Sequence, residues 1–217
     1  VPLAVLFRDP ALVVVDKPAG LAVDEDLLPL AARELGPPGG RAWPRVVHRL
    51  DRGTSGCLAL ALGKAAEQGL ARSLEQGTWE KEYLAVVRGH PPPAGSLDTP
   101  YGPDPRDRRR FTTRLTTPRR ARLSYRTLER LQDASLVRVV LDTGRTHQIR
   151  VQLAEEGYPI VGDDVYGAAH PAIQRPALHA ERLAFPHPLE GGRVGCAAPL
   201  PADISRLLHD LGCKSVP

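Results

Sequence analysis

The chain has 217 residues, 42% of them hydrophobic and 25% charged, which suits a single globular domain, or two small halves sharing a core, with enough apolar material to bury one. No apolar run approaches the length of a membrane-spanning helix, and no basic stretch leading into an apolar one marks a secretory signal. Three scattered cysteines, Cys57, Cys196 and Cys213, argue against a disulfide framework or a zinc site and for a reducing, cytoplasmic setting, and the absence of methionine marks residue 1 as a processed or trimmed start.

Short β-branched runs at 5–7 and 12–15, separated by Asp-Pro, predict a strand, a turn and a strand. Residues 26–35 predict a helix with Asp26 as N-cap and Gly36 as its end, and 37–40 a loop. Val46 and Val47 lead into a polar stretch that ends in an unbroken apolar run, 57–62, the mark of a buried strand. Residues 64–76 predict a helix closed by Gly77. Residues 79–87 alternate as a strand that puts Lys81 and Tyr83 on one face.

Residues 90–118 are rich in Pro and Arg and predict a long irregular excursion or an extended hairpin. The net charge of +4 is mild, yet 25 of the 29 basic residues are Arg, and nine of these fall between 106 and 126. Guanidinium binds phosphate bidentately and stacks on bases, so the cluster points to an RNA backbone contact, with Arg108, Arg109 and Arg110 at its centre. A solvated face in an Arg-rich proteome is the plainer explanation of any single Arg. Strands at 121–131 and 135–141 follow, then a helix from about Thr146 to Glu156 and a turn-rich 158–167. Extended segments at 177–185 and 193–197 and a helix over 201–211 complete the chain. Strands outnumber helices and short turns join many of them, which predicts α+β with a largely antiparallel sheet.

Chemistry concentrates in His48-Arg49-Leu50-Asp51-Arg52-Gly53-Thr54-Ser55-Gly56. Asp51 precedes an expected turn over 54–56 and a rigid strand, a good place for a reactive carboxylate, and Arg49 and Arg52 would keep it ionised. An Asp capping a turn through the Thr54 and Ser55 amides fits equally well, and the residues alone favour that plainer role. A phosphate loop is excluded, because Gly63-Lys64 is followed by Ala65 and position 58 is Leu.

Five blocks in order change the balance. They are Asp16-Lys17-Pro18-Ala19-Gly20-Leu21, the 48–56 stretch, and Lys81-Glu82-Tyr83-Leu84-Ala85. The fourth is Gly144-Arg145-Thr146-His147-Gln148-Ile149-Arg150, continuing through Gly157-Tyr158-Pro159-Ile160, Gly162-Asp163 and Tyr166-Gly167. The last is Leu178-His179-Ala180 through Phe185-Pro186-His187-Pro188. With these the chain resembles the RluA-like RNA pseudouridine synthases over nearly its whole length, with Pro186 added to the usual tail pattern.

The resemblance implies a pseudouridine synthase catalytic fold: a mixed, mainly antiparallel central sheet flanked by helices and loops, with a cleft across the sheet. One catalytic domain would span 1–217 without an S4-type RNA-binding domain. It implies Asp51 as the catalytic carboxylate, Tyr83 stacked on the target uracil and aiding proton loss at C5, and Arg150 paired with Asp51, with Arg145 as second choice. Arg49 would fill the space of the flipped base, and Arg52, Arg145, His147, Arg108, Arg109 and Arg110 would bind substrate. The partner would be ribosomal or transfer RNA and the protein a monomer. The isomerisation imports no group and changes no oxidation state, so no cofactor or metal is expected. A non-catalytic RNA-binding protein of the same fold is the alternative. It predicts a missing nucleophile or tyrosine, and both are present.

Overall fold

Alternating and unbroken apolar runs become strands, and the Arg-rich middle of the chain becomes a paired hairpin. The computed structural model describes residues 2–35 and 44–214. Gly36 and the expected loop at 37–40 lie outside the described residues. The first half comprises β1 (Ala4–Arg8), β2 (Leu12–Lys17), a π-helical turn (Val23–Leu27), α1 (Leu28–Leu35), β3 (Arg45–Val46), β4 (Ser55–Ala61), α2 (Lys64–Glu75), β5 (Glu80–Arg88) and β6 (Ala94–Pro100). Then come β7 (Gly102–Pro103), β8 (Phe111–Thr112), β9 (Arg120–Arg130), β10 (Ala134–Leu141), α3 (Gln148–Glu155), β11 (Leu178–Pro186), β12 (Arg193–Ala197) and α4 (Ala202–Asp210). The α+β expectation is met. The chain forms two compact units, Val1–Lys81 with Ala180–Pro199 and Glu82–His179 with Leu200–Pro217.

In the first unit the strands run β1-β2-β4-β11, with β12 on β11 and β3 on β4. β2 pairs antiparallel with β4, Lys17 opposite Gly56. Every residue of β4 is buried, as its unbroken apolar run requires. Its Cys57, Ala59 and Ala61 pack with Leu12 and Val14 of β2, Ala66 and Leu70 of α2, and Phe185 of β11. Trp79 stacks on Phe185 at 4.5 Å and donates its indole N–H to Ser73 Oγ at 2.8 Å, which satisfies its polar end. Gly56 is obligatory: its φ is +112° and a Cβ there would lie 2.2 Å from the Ala180 carbonyl oxygen.

Two local expectations fail in this unit. Asp26 is not an N-cap, because the helix begins earlier as a π turn in which Leu27 N–H bonds the Ala22 carbonyl at 3.0 Å. The Asp26 carboxylate instead accepts from the Ala22 amide at 2.8 Å. The turn after Asp51 is also displaced. It spans 51–54, closed by Thr54 N–H to the Asp51 carbonyl at 3.0 Å, and Ser55 and Gly56 are already strand.

In the second unit the order is β5-β10-β9-β6, antiparallel throughout. Residues 90–118 thus resolve into the extended hairpin: β6 pairs with β9 from Ala94–Arg126 to Pro100–Arg120, and β7 with β8 forms a smaller hairpin inside it. Strand alternation splits the Arg cluster. Arg122 and Arg126 are exposed on one face of β9, while Ala121, Leu123 and Tyr125 are buried on the other. Val151 of α3 packs with Ala121 and Tyr101, and Gln152 Nε2 donates to Thr99 Oγ1 and the Ala121 carbonyl at 2.9 and 3.1 Å. α3 starts at Gln148, two residues later than expected, because His147 adopts left-handed dihedrals (φ 58°) that cannot belong to the helix.

Candidate active site

In the first unit the chain reaches Asp51 through β3, which pairs with β4 only at Arg45–Ala61 and Val46–Leu60. Two residues on, the His48 side chain takes over from the ladder: its Nε2 accepts the Ala59 N–H at 2.9 Å. That bond needs an unprotonated Nε2. Burial, with Lys81 nearby, pushes the imidazole down to about 3, so the ring is neutral at ordinary pH. Its edge rests on Trp79 at 5.0 Å.

The 51–54 turn is then held through the Arg52 carbonyl. That oxygen accepts the Gly20 N–H at 2.8 Å and Lys17 Nζ at 3.3 Å. Lys17 is wholly buried, and its ammonium also donates to the carbonyls of Pro18 and Leu21 at 2.9 and 2.8 Å. A buried ammonium is tolerated only when so compensated. The 16–21 block therefore serves as the frame of the 51–54 turn.

Arg49 and Arg52, expected to flank the carboxylate, reach to the acidic π turn. Arg49 NH1 lies 2.9 Å from Asp24, and Arg52 NH2 lies 3.3 and 3.4 Å from Glu25 and Asp26. Of these acids only Asp26 carries a sequence-based expectation, as a helix cap, and none is expected as a partner of Arg49 or Arg52. Three carboxylates in a row beside an expected N-terminus were the available signal.

In the second unit Tyr83 is buried on β5, opposite Val139. Arg150 is buried on α3, where its Nε and NH2 fork binds Asp163 Oδ2 and Oδ1 at 2.7 and 3.0 Å. Asp163 is fully buried. Burial would raise its carboxyl, but the Arg150 guanidinium and the amides of Tyr166 and Val165 outweigh this and lower it below the usual carboxylate range. Asp163 belongs to the fourth sequence block, whose pattern alone assigns it no role. A paired buried guanidinium can only be recognised once residues 150 and 163 are seen to meet.

Tyr166 completes this group. The guanidinium carbons of Arg150 and Arg110 lie 5.2 and 5.1 Å from its ring centroid. Its hydroxyl accepts the Phe111 N–H at 2.9 Å and shares a hydrogen bond with His147 Nδ1 at 2.9 Å. Phe111 stacks on Tyr101, and His147 meets both Phe111 and Tyr166 edge-on. Burial raises the Tyr166 phenol, so it stays protonated across the ordinary pH range. Glu155, at the end of α3, holds the end of β8 through Thr112 Oγ1 at 2.7 Å and the Thr113 amide at 3.1 Å, with the Thr113 hydroxyl also bonded.

The expected Arg trio has three different settings. Arg108 is exposed, Arg109 pairs with Asp107 at 3.1 Å, and Arg110 is half-buried against Tyr166. Asp104 and Asp107 do more than temper charge: their carboxylates accept the Arg106 and Arg109 amides at 2.8 and 3.0 Å and shape the turn. Arg145 precedes α3 and bonds the Arg120 carbonyl at 3.3 Å. The buried Gln148 fixes that segment, accepting from Thr143 Oγ1 and the Arg145 amide.

Comparison with known proteins gives one consistent answer. Residues 11–155 match the family model described as RNA pseudouridylate synthase. An RNA pseudouridine synthase of Chloroflexus aurantiacus is 46% identical over 80% of this chain and 55% of its own length. A ribosomal large subunit pseudouridine synthase D of Zymomonas mobilis is 37% identical over 97% of this chain and 73% of its own. The chain thus spans between about half and three quarters of the length of these curated relatives. The solved structure of human RNA pseudouridylate synthase domain containing 1 superposes with a TM-score of 0.77 at 27% identity, covering 99% of this chain and 96% of that one.

Proposed function

This chain belongs to the RNA pseudouridylate synthase family, and we propose that it isomerises uridine to pseudouridine in structured RNA with Asp51 as the reacting carboxylate. The observation that carries the reading is the turn at 51–54. Its carbonyl at Arg52 is held by the Gly20 amide and the Lys17 ammonium, so the residue before it is presented on a rigid support. The reaction breaks the C1′–N1 bond, turns the base, forms C1′–C5, releases the C5 proton and returns a proton to the freed N1. No group is imported and no electron is transferred, so the residues act without cofactor or metal.

The uracil must leave its stack first, at roughly a few kcal/mol. Arg49 is suited to take the vacated space. Its planar cation stacks on bases, and its side chain is 71% exposed, so its pairing with Asp24 is weak enough to exchange. Tyr83 stacks on the target base and assists proton loss at C5. Arg150 is the cation proposed as the partner of the reacting carboxylate. Arg52, Arg145, His147, Arg108, Arg109 and Arg110 bind the surrounding RNA. Relatives named for the large ribosomal subunit favour ribosomal over transfer RNA. The match over 11–155 takes in residues of both compact units, which supports one catalytic domain; we take the protein to act as a monomer. Three cysteines without disulfides agree with a cytoplasmic setting.

RNA carrying tritium at uridine C5 tests the proposal. Tritium release should survive EDTA and the absence of nucleotides, and should fall at least about a thousandfold in Asp51→Asn, the scale of losing a nucleophile. Release unaffected by that substitution overturns the reading.

A further inference from the structure

We infer that Tyr166 is a positioning residue with two separable parts: a ring that orients Arg150 and a hydroxyl that seats the arginine-bearing hairpin 102–112. The inference rests on the proposed roles of Arg150 and of the hairpin arginines.

Asp163 grips the Nε and NH2 edge of Arg150, and an aromatic surface lies over the face of the guanidinium. That surface is the Tyr166 ring, 5.2 Å from the Arg150 guanidinium carbon. The same ring lies 5.1 Å from the guanidinium carbon of Arg110, the one half-buried arginine of the 108–110 trio. The Tyr166 hydroxyl meets the hairpin at its returning strand, where the Phe111 amide donates to it, and meets His147 before α3. His147 is the single non-glycine with positive φ among the described residues, a strained position that persists only where its surroundings impose it. A ring placed elsewhere would therefore disturb both the α3 start and the hairpin. The consequence is a link: whatever RNA does to the seat of Arg110 is felt by the surface on which Arg150 rests.

Two substitutions separate the parts. Tyr166→Phe keeps the ring and removes the hydroxyl. It should raise KM for RNA about fivefold, the size of one ordinary hydrogen bond, and flatten the salt dependence of binding, while kcat falls far less. Tyr166→Leu removes the ring and should lower kcat by about tenfold or more, with thermal midpoint and circular dichroism reporting that the chain remains folded. Equal effects of the two variants on kcat, or a KM unmoved by Tyr166→Phe, overturn the inference. Since Tyr166→Phe retains the bulk of the side chain, its KM-to-kcat split decides the matter even if Tyr166→Leu misfolds. Arg150→Ala serves as the reference. If it is fully active, the role proposed for Arg150 falls. If it is inactive and Tyr166→Leu is normal, only the inference about Tyr166 falls.

Discussion

The two compact units hold their key side chains in opposite ways. Around Asp51 the grip is on the main chain: the Arg52 carbonyl bonds to Gly20 and Lys17, the Ala59 amide bonds to His48, and Thr54 closes on Asp51. Around Arg150 the grip is on the side chain itself, through the Asp163 carboxylate and the Tyr166 ring. A short carboxylate on a fixed turn has little freedom left once its backbone is set. A guanidinium at the end of a long stem retains several rotors and must be held at its tip. Disturbing the first kind of support should therefore appear as lost stability, and disturbing the second as lost turnover.

Lys17→Met probes that distinction most strongly. It strands the carbonyls of Pro18 and Leu21 and takes one of two donors from the Arg52 carbonyl, which keeps the Gly20 amide. Each buried carbonyl left without its donor costs about 1–3 kcal/mol, so the two together cost about 2–5 kcal/mol, a large share of a marginal folding free energy. Urea unfolding should show a loss in that range. A loss below about 1 kcal/mol would mean that the turn at Asp51 stands without this frame, and the contrast between the two units would collapse.

The His48 contribution is smaller and depends on pH. Its folded value, about 3, lies below the ordinary 6.5, so the unfolded chain takes up a proton first as pH falls. The stabilisation is complete above 6.5 and is lost between 6.5 and 3, with a slope of at most about 1.4 kcal/mol per pH unit. His48 keeps some solvent contact, which makes the real slope shallower. Denaturation midpoints from pH 7 to 4 should fall in the wild type and fall less in His48→Gln. Identical curves would remove His48 from the set of main-chain supports.

How much of this was legible in the sequence follows the same division. β2 and β4 were visible because their apolar runs are unbroken, and β12 matches its expected span. The turn at 51–54 was misplaced by two or three residues, because Ser55 and Gly56 look like turn residues and only the close approach of Ala180 explains a strand glycine there. Asp26 was misread because a π turn starting at Val23 has no periodic signature. Asp51, Tyr83 and Arg150 were singled out through family blocks, as local chemistry alone favoured a turn cap for the first. Asp163 and Tyr166 stood in those blocks as letters. Their roles depend on contacts 13 and 55 residues away in the chain, with Arg150 and Phe111.

The smallest expected effect concerns the acids that hold Arg49. Its pair with Asp24 is short, at 2.9 Å, but the two side chains are 71% and 47% exposed. Water and salt screen such a pair, which is worth about 0–1 kcal/mol, so Asp24→Asn should move the unfolding midpoint very little. The carboxylate nevertheless competes with RNA for the same guanidinium. Removing its charge should tighten RNA binding by about twofold at low salt and not at all near 0.5 M, where screening has already weakened the competitor. Filter binding across a salt series reads this directly. A marked loss of stability in Asp24→Asn would instead make the pair structural. Arg49 would then be committed to the π turn, and a base-replacing role would have to pass to another cation.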